Sequence, residues 1–242
     1  MQNPFQTNRD TKKTLRIDRI LSNFGYCTRN QARDWVKQGR IKVKNTLADD
    51  FASKADPHDV LIDDVPIEHP DGIYMAFHKP PGYTCSHDPS EGDIIYDLLP
   101  PQWVLRDPIV SSVGRLDKDT SGLLLLTDDT VLAHRLMSPS RHVPKIYYVE
   151  VDKDLSPDLI EKFKAGTLLL KDEKTPCLPA ELKIVSENKC EVTLHEGRYH
   201  QIKRMFTACG YEVMKLSRIK FGKLELGNLA EGSFREFGPT DI

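Results

Sequence analysis

The spacing of apolar residues near the start of the chain predicts two short helices and a strand. The first helix has a buried stripe at i, i+3, i+4 and i+7, formed by Ile17, Ile20, Leu21 and Phe24. The second has a shorter stripe, formed by Ala32, Trp35 and Val36. Thr28 and Gln31 have the spacing of a capping box at the start of this second helix. The period then changes to two, which places Ile41 and Val43 on one face of a strand.

Strand-like patterns outnumber helical ones beyond residue 72. Strands are predicted at 73–77, 123–127, 145–151, 180–186, 190–196, 211–216 and 219–226. Helices are predicted at 156–166 and 200–209, and either Asp128 or Asp129 can cap a short helix that ends at Met137. Because strands and helices do not alternate regularly, we expect an α+β fold whose larger domain has a mainly antiparallel or mixed sheet.

A change in charge marks a boundary between two domains. Residues 47–71 contain eight acids against one lysine, and Pro66, Pro70 and Gly72 interrupt the end of that stretch. We therefore expect a disordered tail at 1–13, a small α/β domain at 14–67, a linker at 68–72 and a larger domain at 73–242.

The net charge of −2 conceals two basic regions. Residues 1–46 contain eleven Lys and Arg against three acids, and residues 198–223 contain seven against one. In the first region Arg29, Arg33 and Lys37 share a helix face, while Arg40 and Lys42 share a strand face. Two separated basic surfaces favour a long polyanion as the ligand. Either basic region alone is also explained as an ordinary solvated surface.

Other features narrow the class of protein. No apolar run is long enough to cross a bilayer, and the polar beginning lacks the apolar core of a secretion signal. The five cysteines are far apart, with no spacing typical of zinc or of a disulfide framework. We expect a cytoplasmic protein, monomeric, without membrane contact, metal or cofactor.

The sequence GRLDKDTSGLLLLTDD, at 114–129, places charges directly before an apolar strand. Taken alone, Asp117 is either a turn residue or a carboxylate used in chemistry. No phosphate-binding loop, metal motif or serine-nucleophile motif is found in the chain. A carboxylate, an aromatic ring and a cation that lie beside a polyanion-binding surface can act on a glycosidic bond of RNA.

Two groups of motifs resemble known families. Residues 14–63, with Arg16-Ile17-Asp18, Thr28-Arg29 and Gly39 before Val43, resemble the S-four RNA-binding domain. GRLDKDTSGL, HKPPGY and EGRYHQIKRMF resemble the signatures of pseudouridine synthases. The S-four-like domain followed by these motifs is similar to the RsuA-type synthases of small-subunit (16S) ribosomal RNA, which implies the pseudouridine synthase fold.

The resemblance implies roles for three catalytic residues. Asp117 matches the nucleophile, Tyr147 the tyrosine that stacks on a flipped uracil, and Lys203 the cation that keeps the carboxylate ionised. Tyr148, the next residue, remains an alternative to Tyr147. The residues expected to contact RNA are Arg16, Arg19, Arg29, Arg33, Lys37, Arg40, Lys42, Lys79, Arg115, Arg198, His200, Gln201 and Arg204.

The function implied by these motifs is isomerisation of a uridine to pseudouridine in small-subunit ribosomal RNA, by an aspartate nucleophile acting on a flipped base. Two alternatives remain open. One is a synthase that acts on large-subunit (23S) ribosomal RNA, and the other is a ribosome-assembly factor that binds RNA without catalysis.

Overall fold

The computed structural model describes residues 14–238 and 240–242, so the tail expected at 1–13 lies outside the described residues. The chain folds into an N-terminal unit and a larger unit, each with helices packed on a sheet. The expected α+β class with a mixed sheet is confirmed.

The N-terminal unit contains two helices and two small sheets. Its elements are β1 (Leu15–Arg16), α1 (Ile17–Asn23), α2 (Arg29–Lys37), β2 (Ile41–Val43), β3 (Thr46–Leu47), β4 (Lys54–Ala55), β5 (Val60–Ile62) and β6 (Val65–Pro66). β1 pairs with β4, and the other sheet has the antiparallel order β3-β2-β5-β6. The predicted capping box is confirmed, because the backbone N–H of Thr28 donates to Gln31 Oε1 at 2.9 Å and the backbone N–H of Gln31 donates back to Thr28 Oγ1 at 3.3 Å.

The larger unit is built on one mixed sheet. Its elements are β7 (Tyr74–Lys79), α3 (Pro101–Val104), β8 (Ser111–Ser112), β9 (Ser121–Thr127), α4 (Thr130–Met137), β10 (Lys145–Val151), α5 (Asp158–Lys164), β11 (Glu181–Ser186), β12 (Lys189–Leu194), α6 (Gln201–Ala208), β13 (Val213–Phe221), β14 (Leu224–Glu225) and β15 (Phe234–Glu236). The main strand order is β11-β12-β10-β13-β9-β7-β15, with β8 on β9 and β14 on β13. β9 and β13 run parallel, and the other pairs are antiparallel.

The four-leucine strand is apolar throughout because both faces of the sheet are covered. Leu123 and Leu125 pack in one core with α4, whereas Leu124 and Leu126 pack in a second core with Trp103. All four leucines are fully buried. The adjoining Gly122 has φ of +108°, and a Cβ atom there would lie 2.3 Å from the carbonyl oxygen of Arg218. β9 and β13 can therefore approach each other because residue 122 has no side chain.

The two units are fastened together around Arg106, which is buried. Its Nε donates to Asp128 at 2.9 Å, and its guanidinium lies 4.5 Å from the ring centroid of Phe24 in the N-terminal unit. The same guanidinium donates to the backbone carbonyls of Glu68 and His69, inside the segment expected to be a linker. The N-terminal unit is thus docked on the larger one through this segment.

Candidate active site

The loop before β9 carries Asp117, and the buried side chain of Lys79 holds the backbone of this loop. The Lys79 ammonium donates to the carbonyl oxygens of Asp117 at 3.2 Å, Lys118 at 3.3 Å and Thr120 at 2.9 Å, and to that of Pro80 at 3.0 Å. A turn bond from the N–H of Thr120 to the carbonyl of Asp117 closes the loop. These contacts fix the backbone that presents the Asp117 carboxylate.

The expectation that Lys79 contacts RNA is therefore wrong. Its side chain is fully buried, and the four carbonyls take up its ammonium group. Burial lowers the pKa of Lys79, against the opposing effect of nearby carboxylates and of Cys85. Lys79 therefore holds the loop that carries Asp117 from within the protein.

Asp117 lies between His200 and Lys203, two side chains at the start of α6. His200 Nε2 is 3.4 Å from Asp117 Oδ1, and Lys203 Nζ is 3.7 Å from Asp117 Oδ2. His200 reaches this position because it adopts a left-handed conformation, with φ of +47°, just before the helix. Lys203 is held more closely by Asp119, at 2.5 Å, so this lysine contacts two carboxylates of the same loop. Asp117 is about one-quarter exposed, which leaves it accessible to a substrate.

A cavity of about 870 Å³ opens beside this carboxylate. Tyr147 on β10 lines the cavity together with Asp117, Arg115 and His200. Tyr148 does not line it, because consecutive side chains of a strand point to opposite faces of the sheet. The structure thus brings Tyr147, and not Tyr148, to the face that carries Asp117.

Arg115 is an exposed cation at the mouth of this cavity. Its side chain is 67% exposed and lies 3.7 Å from Glu91, a separation at which a solvated pair is weakly held. It is therefore free to rearrange when a polyanion approaches. Tyr199, stacked on His200 with 3.8 Å between ring centroids, adds an exposed aromatic ring at the same mouth.

Three other residues expected to contact RNA are engaged inside the protein. Arg198 donates to the carbonyls of Thr175 and Pro176 and to Glu196. Gln201 is buried, donates to Glu196 at 2.7 Å and accepts the backbone N–H of Arg198 at 3.0 Å. Arg204 donates to Glu173 and to the carbonyl of Lys171. The expectation of RNA contact is corrected for Gln201, which is buried and holds Glu196 and the backbone of Arg198. Arg198 and Arg204 fasten the 171–176 segment to the start of α6.

The basic surface of the N-terminal unit is partly neutralised by acids of the same unit. Asp18 accepts from Arg16 at 3.0 Å and from Arg29 at 3.1 Å. Arg40 pairs with Asp63 and Lys42 with Asp64, both at 2.5 Å, because β2 and β5 are neighbouring strands. Of the RNA-contact residues expected here, those exposed without an ion pair among the described residues are Arg19, Arg33 and Lys37.

Two cations in the floor of the cavity were missed by sequence reasoning. Lys145 precedes Tyr147 by two residues on β10, and Arg218 is the register partner of Tyr147 on β13. Counting charges along the chain places Arg218 in a basic surface, whereas it is 1% exposed and its Nε donates to the carbonyl of Leu123 at 2.7 Å. The available signal was the apolar pattern around Arg218, which predicts a buried strand.

Metal-binding and membrane-spanning features are absent from the part of the chain that the structure describes. No group of three or more His, Cys, Asp or Glu side chains within 14–238 and 240–242 is arranged to hold a metal ion. No helix in the same ranges is both long and apolar enough to cross a membrane.

Comparisons with known proteins agree with this site. The family model for RNA pseudouridylate synthase matches residues 73–208, and the S4 domain model matches residues 15–61. The chain is 36% identical to an uncharacterized RNA pseudouridine synthase of Bacillus subtilis, over 94% of this chain and 97% of that protein. It is 37% identical to ribosomal small subunit pseudouridine synthase A of Pasteurella multocida and 35% identical to that of Escherichia coli, in each case over 94% of this chain and 98% of the relative.

A solved structure gives the same result. A crystal structure of a pseudouridylate synthase shares 34% identity with the chain at a TM-score of 0.65, and the match covers 94% of this chain and 97% of that one. Because both the family model and relatives above 30% identity span most of the larger unit, the assignment rests on the whole fold and not on a short motif. The chain belongs to the RNA pseudouridylate synthase family and is an enzyme of that family with an S4 domain at its N-terminus.

Proposed function

We propose that this enzyme isomerises a uridine of small-subunit ribosomal RNA to pseudouridine, with Asp117 as the nucleophile. The observation that carries the proposal is the accessible Asp117 carboxylate at the edge of the cavity, 3.4 Å from His200 and 3.7 Å from Lys203. The small-subunit target is supported by the relatives named ribosomal small subunit pseudouridine synthase A. Ribosomal RNA as substrate implies that the enzyme acts in the cytoplasm.

The size of the cavity supports a flipped nucleotide. A volume of about 870 Å³ is that of a small-ligand pocket and excludes a nucleic-acid duplex. The target base therefore has to leave its helix before Asp117 can reach the sugar. Tyr147 offers a ring on which the flipped uracil stacks, and Arg115 at the mouth faces the space that the base vacates.

The chemistry needs no change of oxidation state. An Asp117 oxygen bonds to C1′ of the ribose while the bond from N1 to C1′ breaks, and the detached uracil rotates. C5 then bonds to C1′ as the carboxylate leaves, C5 loses its proton and N1 gains one. The product is an isomer of the substrate, so the carboxylate, the aromatic ring and the cations are sufficient for the reaction.

The basic surface of the N-terminal unit supports binding of a long RNA, which is a polyanion. Arg19, Arg33 and Lys37 are exposed, and cations of this kind contact phosphates without reading the base sequence. The unit therefore contributes affinity and placement of the RNA, whereas recognition of the uracil itself rests with the cavity and its mouth.

The test is to map pseudouridine in ribosomal RNA from cells that lack the protein. A site in small-subunit RNA should lose its pseudouridine, and should recover it with the wild-type chain but not with Asp117→Asn. Loss of a pseudouridine from large-subunit RNA instead would show that the target lies in that RNA. Restoration of the modification by Asp117→Asn would show that Asp117 is not the nucleophile. An unchanged map together with a ribosome-assembly defect would favour a binding factor.

A further inference from the structure

Lys145 and Arg218 form a pair of cations in the floor of the cavity. Both line it, and each packs against the ring of Phe221, with Lys145 Nζ 5.5 Å and the Arg218 guanidinium carbon 5.3 Å from the ring centroid. No carboxylate among the described residues forms an ion pair with either side chain. Their positive charge is therefore uncompensated within the part of the protein that the structure describes.

Their hydrogen bonds are also incomplete. Lys145 Nζ has one described acceptor, the carbonyl of Val143 at 3.1 Å, although an ammonium group has three donors. Arg218 Nη2 is buried and has no acceptor among the described residues. A buried donor without a partner destabilises a fold, and such groups are uncommon in native proteins unless they serve a purpose. Arg218 lies beneath the surface, so Lys145 is the member of the pair that a ligand can touch.

The position of Lys145 relative to Tyr147 indicates which ligand group it meets. The two residues are two positions apart on β10 and point to the same face of the sheet, while Arg218 pairs with Tyr147 from β13. A uracil stacked on Tyr147 directs its ring edge, with O2 and O4, towards its neighbours on this face. Lys145 is such a neighbour.

We propose that the Lys145 ammonium binds an oxygen of the target uracil and stabilises the negative charge that develops when the glycosidic bond breaks. This rests on the proposed function. When Asp117 bonds to C1′, the electron pair of the broken bond stays on the uracil and is shared among N1, O2 and O4. Lys145 donates a hydrogen bond to this anion without losing its proton. The charge disappears when C5 bonds to C1′, releases its proton to solvent, and N1 takes a proton from solvent.

The surroundings of Lys145 suit this task. Burial, with the charge of Arg218 as the second cause, lowers the pKa of Lys145 to about 8. The other titratable or charged groups that line the same cavity are Cys85, Arg115, Asp117, Lys118, Tyr147, His195, Glu196, Arg198, Tyr199 and His200. A desolvated cation interacts more strongly with a developing anion than a solvated one does. Arg218 acts through Lys145, as a positioning residue that adds buried positive charge.

The first test compares Lys145→Met, Lys145→Arg and the matched control Lys189→Met, a lysine of the adjacent strand β12. Single-turnover rates are measured on a transcript of small-subunit ribosomal RNA. Lys145→Met should lower the rate on the order of 10²-fold, as loss of a preorganised donor to a transition-state anion does. Lys145→Arg should stay within about fivefold, because the charge is kept. A rate for Lys145→Met equal to that of the control overturns the proposal.

The second test uses the same transcript with 5-fluorouridine in place of uridine and compares the rates at which the bond from N1 to C1′ breaks. That step is the readout because C5 of this base carries fluorine and has no proton to release. Fluorine withdraws electrons and stabilises the detached base, so the defect of Lys145→Met should shrink by about tenfold. A merely structural role for Lys145 leaves the defect equal for both RNAs and rejects the proposal. The readout is the ratio of the rates that one variant shows with the two RNAs. A partly unfolded population lowers both rates equally and leaves this ratio unchanged.

The third test is the pH profile. The wild-type rate should fall as the pH rises through about 8, because Lys145 loses its charge there. Lys145→Arg should keep its rate to higher pH, whereas ionisation of the RNA affects both proteins equally. A fall at the same pH in both contradicts the proposal. Failure of the proposed function is distinct, because then the wild-type enzyme makes no pseudouridine in this RNA.

Discussion

Lys203 donates a 2.5 Å hydrogen bond to Asp119, a residue 84 positions away in the sequence. Partial burial alone would raise the pKa of Asp119, but the hydrogen bond and charge of Lys203 bring it below its ordinary value. The cation that faces Asp117 is therefore held in place by a second carboxylate of the same loop. Lys203 contacts both carboxylates, and it lies nearer to Asp119 than to Asp117, the proposed nucleophile.

We expect Lys203→Met to lower turnover on the order of 10²-fold to 10³-fold with little loss of RNA affinity, because it removes a preorganised charge beside the nucleophile. Lys203→Arg should cost about tenfold or less. The matched comparison is Asp119→Asn, which should keep the rate within about threefold, because the amide oxygen still accepts a hydrogen bond from Lys203 and keeps it beside Asp117. Single-turnover rates and RNA titrations separate the two effects. Full activity of Lys203→Met would show that the cation is dispensable.

Tyr147 is expected to act through its ring. Tyr147→Ala should weaken binding of the target nucleotide by about 1–3 kcal/mol, the usual effect of removing one aromatic stacking partner. Tyr147→Phe keeps the ring and isolates the hydroxyl group. Tyr148→Ala is the control, because that side chain lies on the other face of β10. Equal defects in the Tyr147→Ala and Tyr148→Ala proteins, measured by titration with RNA, would contradict the assignment.

Lys79 is expected to affect both stability and rate. Lys79→Met keeps the length of the side chain but removes the donor shared by four carbonyls, so it should destabilise the fold by about 2–4 kcal/mol. It should also lower turnover, since the loop that presents Asp117 loses its support. Urea denaturation followed by circular dichroism measures the first effect. Lys183→Met, a change at a 77% exposed lysine, should shift stability by less than about 0.5 kcal/mol.

Affinity for RNA should depend on the unpaired cations of the N-terminal unit. Replacing Arg19, Arg33 and Lys37 together by Gln should weaken binding and reduce the slope of log affinity against log salt by about 2–3, roughly one for each lost phosphate contact. The control is the pair Arg40→Gln and Lys42→Gln, whose charges are already bonded to Asp63 and Asp64. Its slope should change by less than about one. Equal changes in both variants would reject the distinction between paired and unpaired cations.

The sequence was informative wherever the signal was local. The stripes of α1 and α2 and the capping box at Thr28 depend on residues within one or two turns, and they formed as predicted. The four-leucine strand was predictable because a short apolar run that begins and ends at charged residues is typical of a buried strand. Asp117 was singled out because a long motif surrounds it, and it lies in the cavity with Tyr147.

The errors concern side chains whose partners lie far away in the sequence. Lys79 was expected on the surface, but three of its four acceptors are 38 to 41 residues further along the chain. Arg40 and Lys42 were expected to contact RNA, yet they pair with acids that lie 23 and 22 residues later and are brought near by the pairing of β2 with β5. Spacing along the chain cannot reveal such partners, because they become neighbours only when strands pair or loops close.

The docking of the two units around Arg106 has a consequence for how the enzyme measures its substrate. A Cβ atom on Gly25 would lie 2.1 Å from the carbonyl oxygen of Gln102, so backbone of the N-terminal unit rests directly on α3 of the larger unit. If the N-terminal unit binds RNA as we propose, this direct contact between the units fixes the distance from the bound stretch of RNA to the uridine at Asp117. The enzyme then works as a ruler, and RNAs lengthened or shortened between those two points should present the wrong nucleotide.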